Sequence, residues 1–139
     1  MIRFTKLHGL GNDFIMLQEP LPEGVDWNAV APVLCHRRTG IGADGLLMVL
    51  PSQVADVRMR IINADGSEAE MCGNGIRCFC KYVFDRGLVE KTDFTVETLG
   101  GIMHPVVRPE TPQKASMGRP AMNSRAWSGW MVHSPSGLR

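Results

Sequence analysis

The 139-residue sequence has almost no excess of charge: 15 Lys and Arg stand against 14 Asp and Glu, a formal net charge of +1. So even a balance gives no overall electrostatic case for nucleic acid or for an acidic membrane surface. Long apolar runs are also missing, and none approaches the roughly 18–20 residues that a membrane-spanning helix needs. The N-terminal stretch MIRFTKLHGLGNDF has no basic region leading into a continuous apolar segment, so no signal peptide is expected. The four cysteines include no Cys-x-x-Cys pair, which counts against a thiol-redox function. Cys35-His36 invites a metal reading, yet C-x5-C-x-C from Cys72 is not the pairing, two to four residues apart, that structural zinc sites use. Without a secretory signal, four thiols are expected to stay reduced in a cytoplasmic protein.

What is present is ordinary globular material, 44% apolar and 21% charged residues, in a chain long enough for one domain with a real core. IRFTKL (2–7) partly alternates and reads as a strand; HGLGN (8–12) is a glycine-punctuated turn, and DFIML (13–17) returns as a second strand. Asp26 is a plausible N-cap for a short helix over WNAVAPVLCHRR, which Pro32 weakens because proline lacks the N–H and crowds the preceding turn. RRTGIGADG (37–45) reads as a loop and LLMVL (46–50) as a continuous apolar strand. VRMRII (57–62) alternates cleanly and ends in the turn NADG (63–66). From about residue 74 to 86, Ile76, Phe79, Cys80, Val83 and Phe84 form one wide apolar stripe, with Gly87 where a C-terminal cap belongs. FTVETL (94–99) alternates again, and Gly100-Gly101 can turn it toward IMHPVV. Five or six strands and one strongly amphipathic helix predict an α+β domain over 1–108, its sheet curled around that helix. Residues 109–139, rich in Pro, Ser, Gly and Arg, read as a divergent loop or disordered tail, in which Trp127 and Trp130 are odd and could dock on the domain or on a partner, with no periodicity to support either.

The chemistry concentrates at EMCGNGIRCFC (70–80). A thiolate is the reactive form of cysteine, and Cys72 stands just before a helix, where unpaired N–H groups and the dipole favour negative charge. Gly73 and Gly75 let a ligand approach the backbone, and the same N–H groups suit a carboxylate. Asn74, Asn63 at the end of its strand, and Asn12 in the first turn add amides with both donor and acceptor. Three amides, a thiol and an anion site suit a small zwitterion such as an amino acid. The plainer readings stand beside this one. Free cysteines are commonly buried, Gly-x-Gly is often only turn geometry, and Asn is a common turn residue. Cys80 fits the apolar stripe while Cys78, two residues away, points to a different face; His8 is either an acid–base group or a turn residue.

Taken together, KLHGLGNDF, RRTGIGADGLL, NADGSEAEMCGNGIRC and KYVFDRGLV strongly resemble the N-terminal half of diaminopimelate epimerase. The likeness runs in order from about residue 1 to 107, and SMGRP (116–120) looks like one further short match. The resemblance implies a mixed, mostly antiparallel sheet wrapped around a central helix, as one half of a two-domain fold. It implies interconversion of LL- and meso-diaminopimelate, on the route to lysine and peptidoglycan precursors, with no cofactor and no metal. Two cysteines would face each other across the substrate α-carbon, with Cys72 in the position of the one that removes the α-proton. Asn12, Asn63, Gly73 and Asn74 match substrate-binding positions, while Gly45 stands where many members carry a glutamine. An amino-acid α-proton is weakly acidic, so such a site must stabilise the carbanion with fixed dipoles in a dry cavity.

The family's second half brings the other catalytic cysteine in a Cys-Gly-(Thr/Ser)-Gly setting, and no second Cys-Gly-x-Gly occurs here. The expectation is a chain with half of an active site. The alternatives are a non-catalytic half-domain or amino-acid-binding relic, and a related proline racemase-like isomerase, against which NADGSEAEMCGNG argues. An isolated half is expected to expose an apolar cleft wall and to self-associate or form a homo-oligomer.

Overall fold

The structure, a computed structural model, describes residues 2–9 and 11–107 together with the backbone of 132–133. The expected tail, with Trp127 and Trp130, lies outside the described residues apart from that two-residue stretch. β1 (Phe4–Gly9) and β2 (Asn12–Gln18) pair antiparallel in register from Phe4↔Leu17 to Gly9↔Asn12. The expected five-residue turn at 8–12 is therefore shorter. Gly11, at φ +87°, takes up a left-handed backbone that glycine adopts without steric cost, so pairing continues to Gly9 and Asn12.

α1 (Trp27–Cys35) follows, and Asp26 caps it by accepting from the N–H groups of Asn28 and Ala29 at 3.2 and 3.3 Å. Pro32 lies inside this helix. It cannot donate to the carbonyl of Asn28, four residues earlier, and Gly66 packs against that oxygen so closely that a Cβ there would lie 2.5 Å from it. β3 (Gly45–Leu50) runs parallel to β2 and antiparallel to β4 (Val57–Asn63). The two-residue β5 (Glu68–Ala69) pairs with β4. After α2 (Gly73–Asp85), β6 (Val96–Thr98) runs parallel to β4 and forms a hairpin with β7 (Gly101–Met103). Val132–His133, as β8, pairs with β1. The result is an eight-stranded sheet of order β7-β6-β4-β3-β2-β1-β8 with β5 on the side of β4, antiparallel except at β2–β3 and β4–β6.

Alternation in β2 and β3 divides the core between two faces. Phe14, Met16, Leu47 and Val49 join the cluster around α2, while Ile15, Leu17, Leu46 and Met48 join Trp27, Ala31 and Cys35 of α1. Strands covered on both sides read as continuous apolar runs, which is why LLMVL does not alternate. α2 contacts β1, β2, β3 and β4, so the sheet wraps this helix as expected. Its C-terminus closes with Gly87 at φ +70°. There Gly87 N–H donates to Phe84 O and Leu88 N–H to Val83 O, at 3.1 and 2.9 Å, which satisfies two carbonyls the helix leaves open.

Candidate active site

One edge of the sheet collects the groups singled out above. β2 begins there at Asn12, β3 begins at Gly45, and β4 ends at Asn63. Phe14, Gly45 and Asn63 stand in one register across these strands. The N-terminus of α2 arrives at the same edge, because Asn74 Nδ2 donates to Asn12 Oδ1 at 2.6 Å.

Cys72 is the N-cap of α2, in extended backbone, and its Sγ accepts the N–H of Gly75 at 3.4 Å while its carbonyl accepts from Ile76 at 2.8 Å. It is half-buried; Cys35, Cys78 and Cys80 are buried. Burial pushes the Cys78 thiol up to about 12, with nearby Cys72 adding to the effect. Burial also raises Cys80 and Cys35. A Cβ on Gly73 would meet nothing within 4 Å, whereas one on Gly75 would lie 3.2 Å from Cys72 Cβ and 3.5 Å from its Sγ. Gly73 is thus the open side of the turn and Gly75 the seat of the cysteine. The N–H groups of Gly73 and Asn74 stand in the first helical turn, which has no intrahelical acceptors for them.

Asn63 sits at the same edge but turns its amide away from the other two: Nδ2 donates to Ser67 Oγ at 3.1 Å, and Ser67 is in turn tied to Asp65 at 2.5 Å. The hydrogen bond between Asn63 and Ser67 is exposed. His36 is a turn residue, its Nδ1 accepting from the N–H groups of Arg38 and Thr39 at 3.3 Å each. His8 is a strand residue within β1, opposite Asp13.

Sequence reasoning missed a charged cluster behind Asn12. Asp44 Oδ2 accepts from Asn12 Nδ2 at 3.3 Å and from the backbone N–H of Asp13 at 2.9 Å. Arg37 reaches both carboxylates, holding Asp13 through two hydrogen bonds of 2.8 and 2.7 Å and Asp44 Oδ1 at 3.1 Å. Lys6 adds a contact to Asp13 at 2.8 Å and donates to Gly42 O. The hydrogen bond from Arg37, helped by Lys6, holds the Asp13 carboxyl well below the usual carboxylate range against the opposing effect of burial. The only sequence signal for this cluster was an acidic and a basic residue in each of two glycine-rich segments, both far from Cys72 in the chain. A cavity of about 460 Å³ lined by Arg3, Thr5, Gln18, Tyr82 and Arg86 lies at the opposite end of β2 and of α2 and contains none of these groups.

A half-buried thiol at a helix mouth, open on its Gly73 side and flanked by oriented amides, can exchange a proton with a small bound molecule. The fold that carries it is shared with a set of solved proteins. A PhzF-family phenazine biosynthesis protein of Bacillus anthracis superposes with a TM-score of 0.62 at 27% identity, covering 77% of this chain and 36% of that one. A probable proline racemase from Agrobacterium radiobacter K84 matches in fold with a TM-score of 0.63 at 19% identity, over 77% of this chain and 37% of that one. Within that class the sequence is specific. The sequence model of diaminopimelate epimerase matches residues 4–123, and the chain belongs to that family. The diaminopimelate epimerase of Caldanaerobacter subterraneus subsp. tengcongensis is 56% identical over 127 residues, 88% of this chain and 46% of the relative. That of Alkaliphilus metalliredigens is 60% identical over 102 residues, 73% of this chain and 36% of the relative. The chain therefore spans less than half the length of these curated relatives.

Proposed function

We propose that this chain is the Cys72-bearing half of a cytoplasmic, cofactor-independent diaminopimelate epimerase. The single observation that carries the reading is the placement of Cys72 as N-cap of α2, beside an open Gly73 and the coupled Asn74–Asn12 amides. The family's reaction needs a base on one face of the α-carbon and an acid on the other. Cys72, as thiolate, takes the α-proton and becomes a thiol, leaving the electron pair on the substrate carbon. The N–H groups of Gly73 and Asn74 hold the α-carboxylate and draw off part of that charge. A proton delivered from the opposite face completes inversion. Cys35, Cys78 and Cys80 are buried and unsuited to that second role, so inversion is assigned to a second half bearing its own cysteine. Asn12 and Asn63 contribute further contacts to the substrate. Neither nucleic acid nor membrane has a part in this reading.

The test is proton exchange in D2O with LL- and meso-diaminopimelate, beside Cys72→Ala. A half-site predicts α-deuterium incorporation with retained configuration: the Cys72 thiol exchanges with solvent and returns deuterium to the same face. Exchange absent in the folded chain, or unchanged in Cys72→Ala, overturns the assignment of Cys72 as the base and favours a non-catalytic half-domain.

A further inference from the structure

The amide pair beside Cys72 has a direction, and a residue outside the pair sets it. Asp44 is bound to Arg37 through Oδ1 at 3.1 Å and receives the Asp13 N–H on Oδ2 at 2.9 Å. A carboxylate held this way offers only acceptors. The group of Asn12 that faces it at 3.3 Å must therefore be Nδ2. With its nitrogen so committed, Asn12 turns Oδ1 to Asn74, which can answer only with a donor, its Nδ2 at 2.6 Å. The Oδ1 of Asn74 is then left over at the mouth of α2, with no partner among the described residues. An asparagine alone has no preference between its two orientations; the order Asp44, Asn12, Asn74 removes the ambiguity by chemistry, independently of how each amide is assigned.

We infer that Asp44 is a positioning residue. Acting through Asn12, it fixes the donor–acceptor direction of the amide pair, so that Asn74 meets the ligand with its carbonyl oxygen. An acceptor there suits the ammonium of a zwitterion whose carboxylate lies on the neighbouring N–H groups, and it repels a ligand bearing only anionic groups. This deepens the diaminopimelate reading and rests on it for the ligand, but the direction of the amides does not depend on any ligand.

The experiment uses the ¹⁵N-labelled chain in two stages. In the absence of ligand, hydrogen exchange of the Asn74 side-chain amide reads the bond to Asn12. Asp44→Ala is expected to abolish its protection. Asp44→Asn is expected to keep it, because the amide oxygen of the variant can still face the Asp13 N–H and Asn12 Nδ2. Titration with meso-diaminopimelate then reads affinity, expected to fall about tenfold in Asp44→Ala and by less than about threefold in Asp44→Asn, on the scale of one oriented hydrogen bond. Protection that survives Asp44→Ala overturns the inference. So does Asp44→Asn behaving as badly as Asp44→Ala, which would make charge rather than direction the role of Asp44. Should Asp44→Ala fail to fold, Asp44→Asn decides by itself: Asn74 amide protection retained there supports direction over charge, and its loss sinks the idea. A wild-type chain that binds no meso-diaminopimelate counts against the proposed function, while amide protection still decides the role of Asp44.

Discussion

Cys72 differs from its three companions in access as much as in position. Cys35, Cys78 and Cys80 lie in the core with thiols raised by burial, and a thiol alkylates through its thiolate. Limited alkylation near neutral pH followed by peptide mapping is expected to label Cys72 first; preferential labelling of Cys78 or Cys80 would contradict the site. The two glycines separate fold from binding. Gly73→Ala meets open space, so its melting temperature should match the wild type while affinity for diaminopimelate falls. Gly75→Ala would press on Cys72 Cβ at 3.2 Å and should slow alkylation of that residue's thiol. Cys72, Gly73 and Asn74 were legible because they are adjacent in the chain. Asp44 was not, because its role exists only through a hydrogen bond to a residue 32 positions away.

At the scale of elements, α2 shows what periodicity captures and what it leaves out. Of the expected stripe, Ile76, Phe79, Cys80 and Val83 are buried and Phe84 only partly so, yet Cys78 and Tyr82, on another face, are buried as well. The stripe describes the side that meets the sheet. Cys78 belongs to a core cluster that also takes in Val89, Phe94 and Val107 from the following segment, and no pattern within the helix encodes that. Phe79 is fully buried, so Phe79→Ala should cost roughly 3–5 kcal/mol in denaturant unfolding. α1 survives an internal proline because its N-terminus is capped and Asn28, near its start, is held to Gly66 O at 3.0 Å. Asp26→Ala should cost about 1 kcal/mol by the same measurement.

For the molecule as a whole, the charged cluster at Asp13 predicts a pH dependence. Arg37 and Lys6 depress the folded-state value of Asp13 below its unfolded value of about 3.9. The resulting stabilisation is complete above that unfolded value and is lost as pH falls toward the folded one. Urea midpoints measured from pH 6 down to pH 2 should therefore drop less steeply in Asp13→Asn than in the wild type. The surface beside Cys72 carries a second prediction. Met71 and Leu99 are 40% and 57% exposed and belong to segments joined by the hydrogen bond from Gly100 N–H to Glu70 O at 3.2 Å. Apolar groups so placed are expected to drive self-association of the chain. Light scattering should show species larger than a monomer, reduced in Leu99→Ser; a monodisperse monomer would contradict this.

Local chemistry was enough for the sequence by itself to determine six of the eight strands, the wrapped central helix, the cap at Gly87 and the family, since each rests on residues close together or on motifs read in order; β5 and β8, two residues each, are too short to show a pattern. The tertiary structure alone decided three things. It carried the pairing of β1 and β2 out to Gly9 and Asn12, it enclosed α2 on more than its stripe, and it brought Asp44, Asn12 and Asn74 into one hydrogen-bonded line. The physical reason is common to all three: a strand pairing, a buried face or an amide orientation is chosen by the partner that satisfies it, and those partners lie far away in the chain.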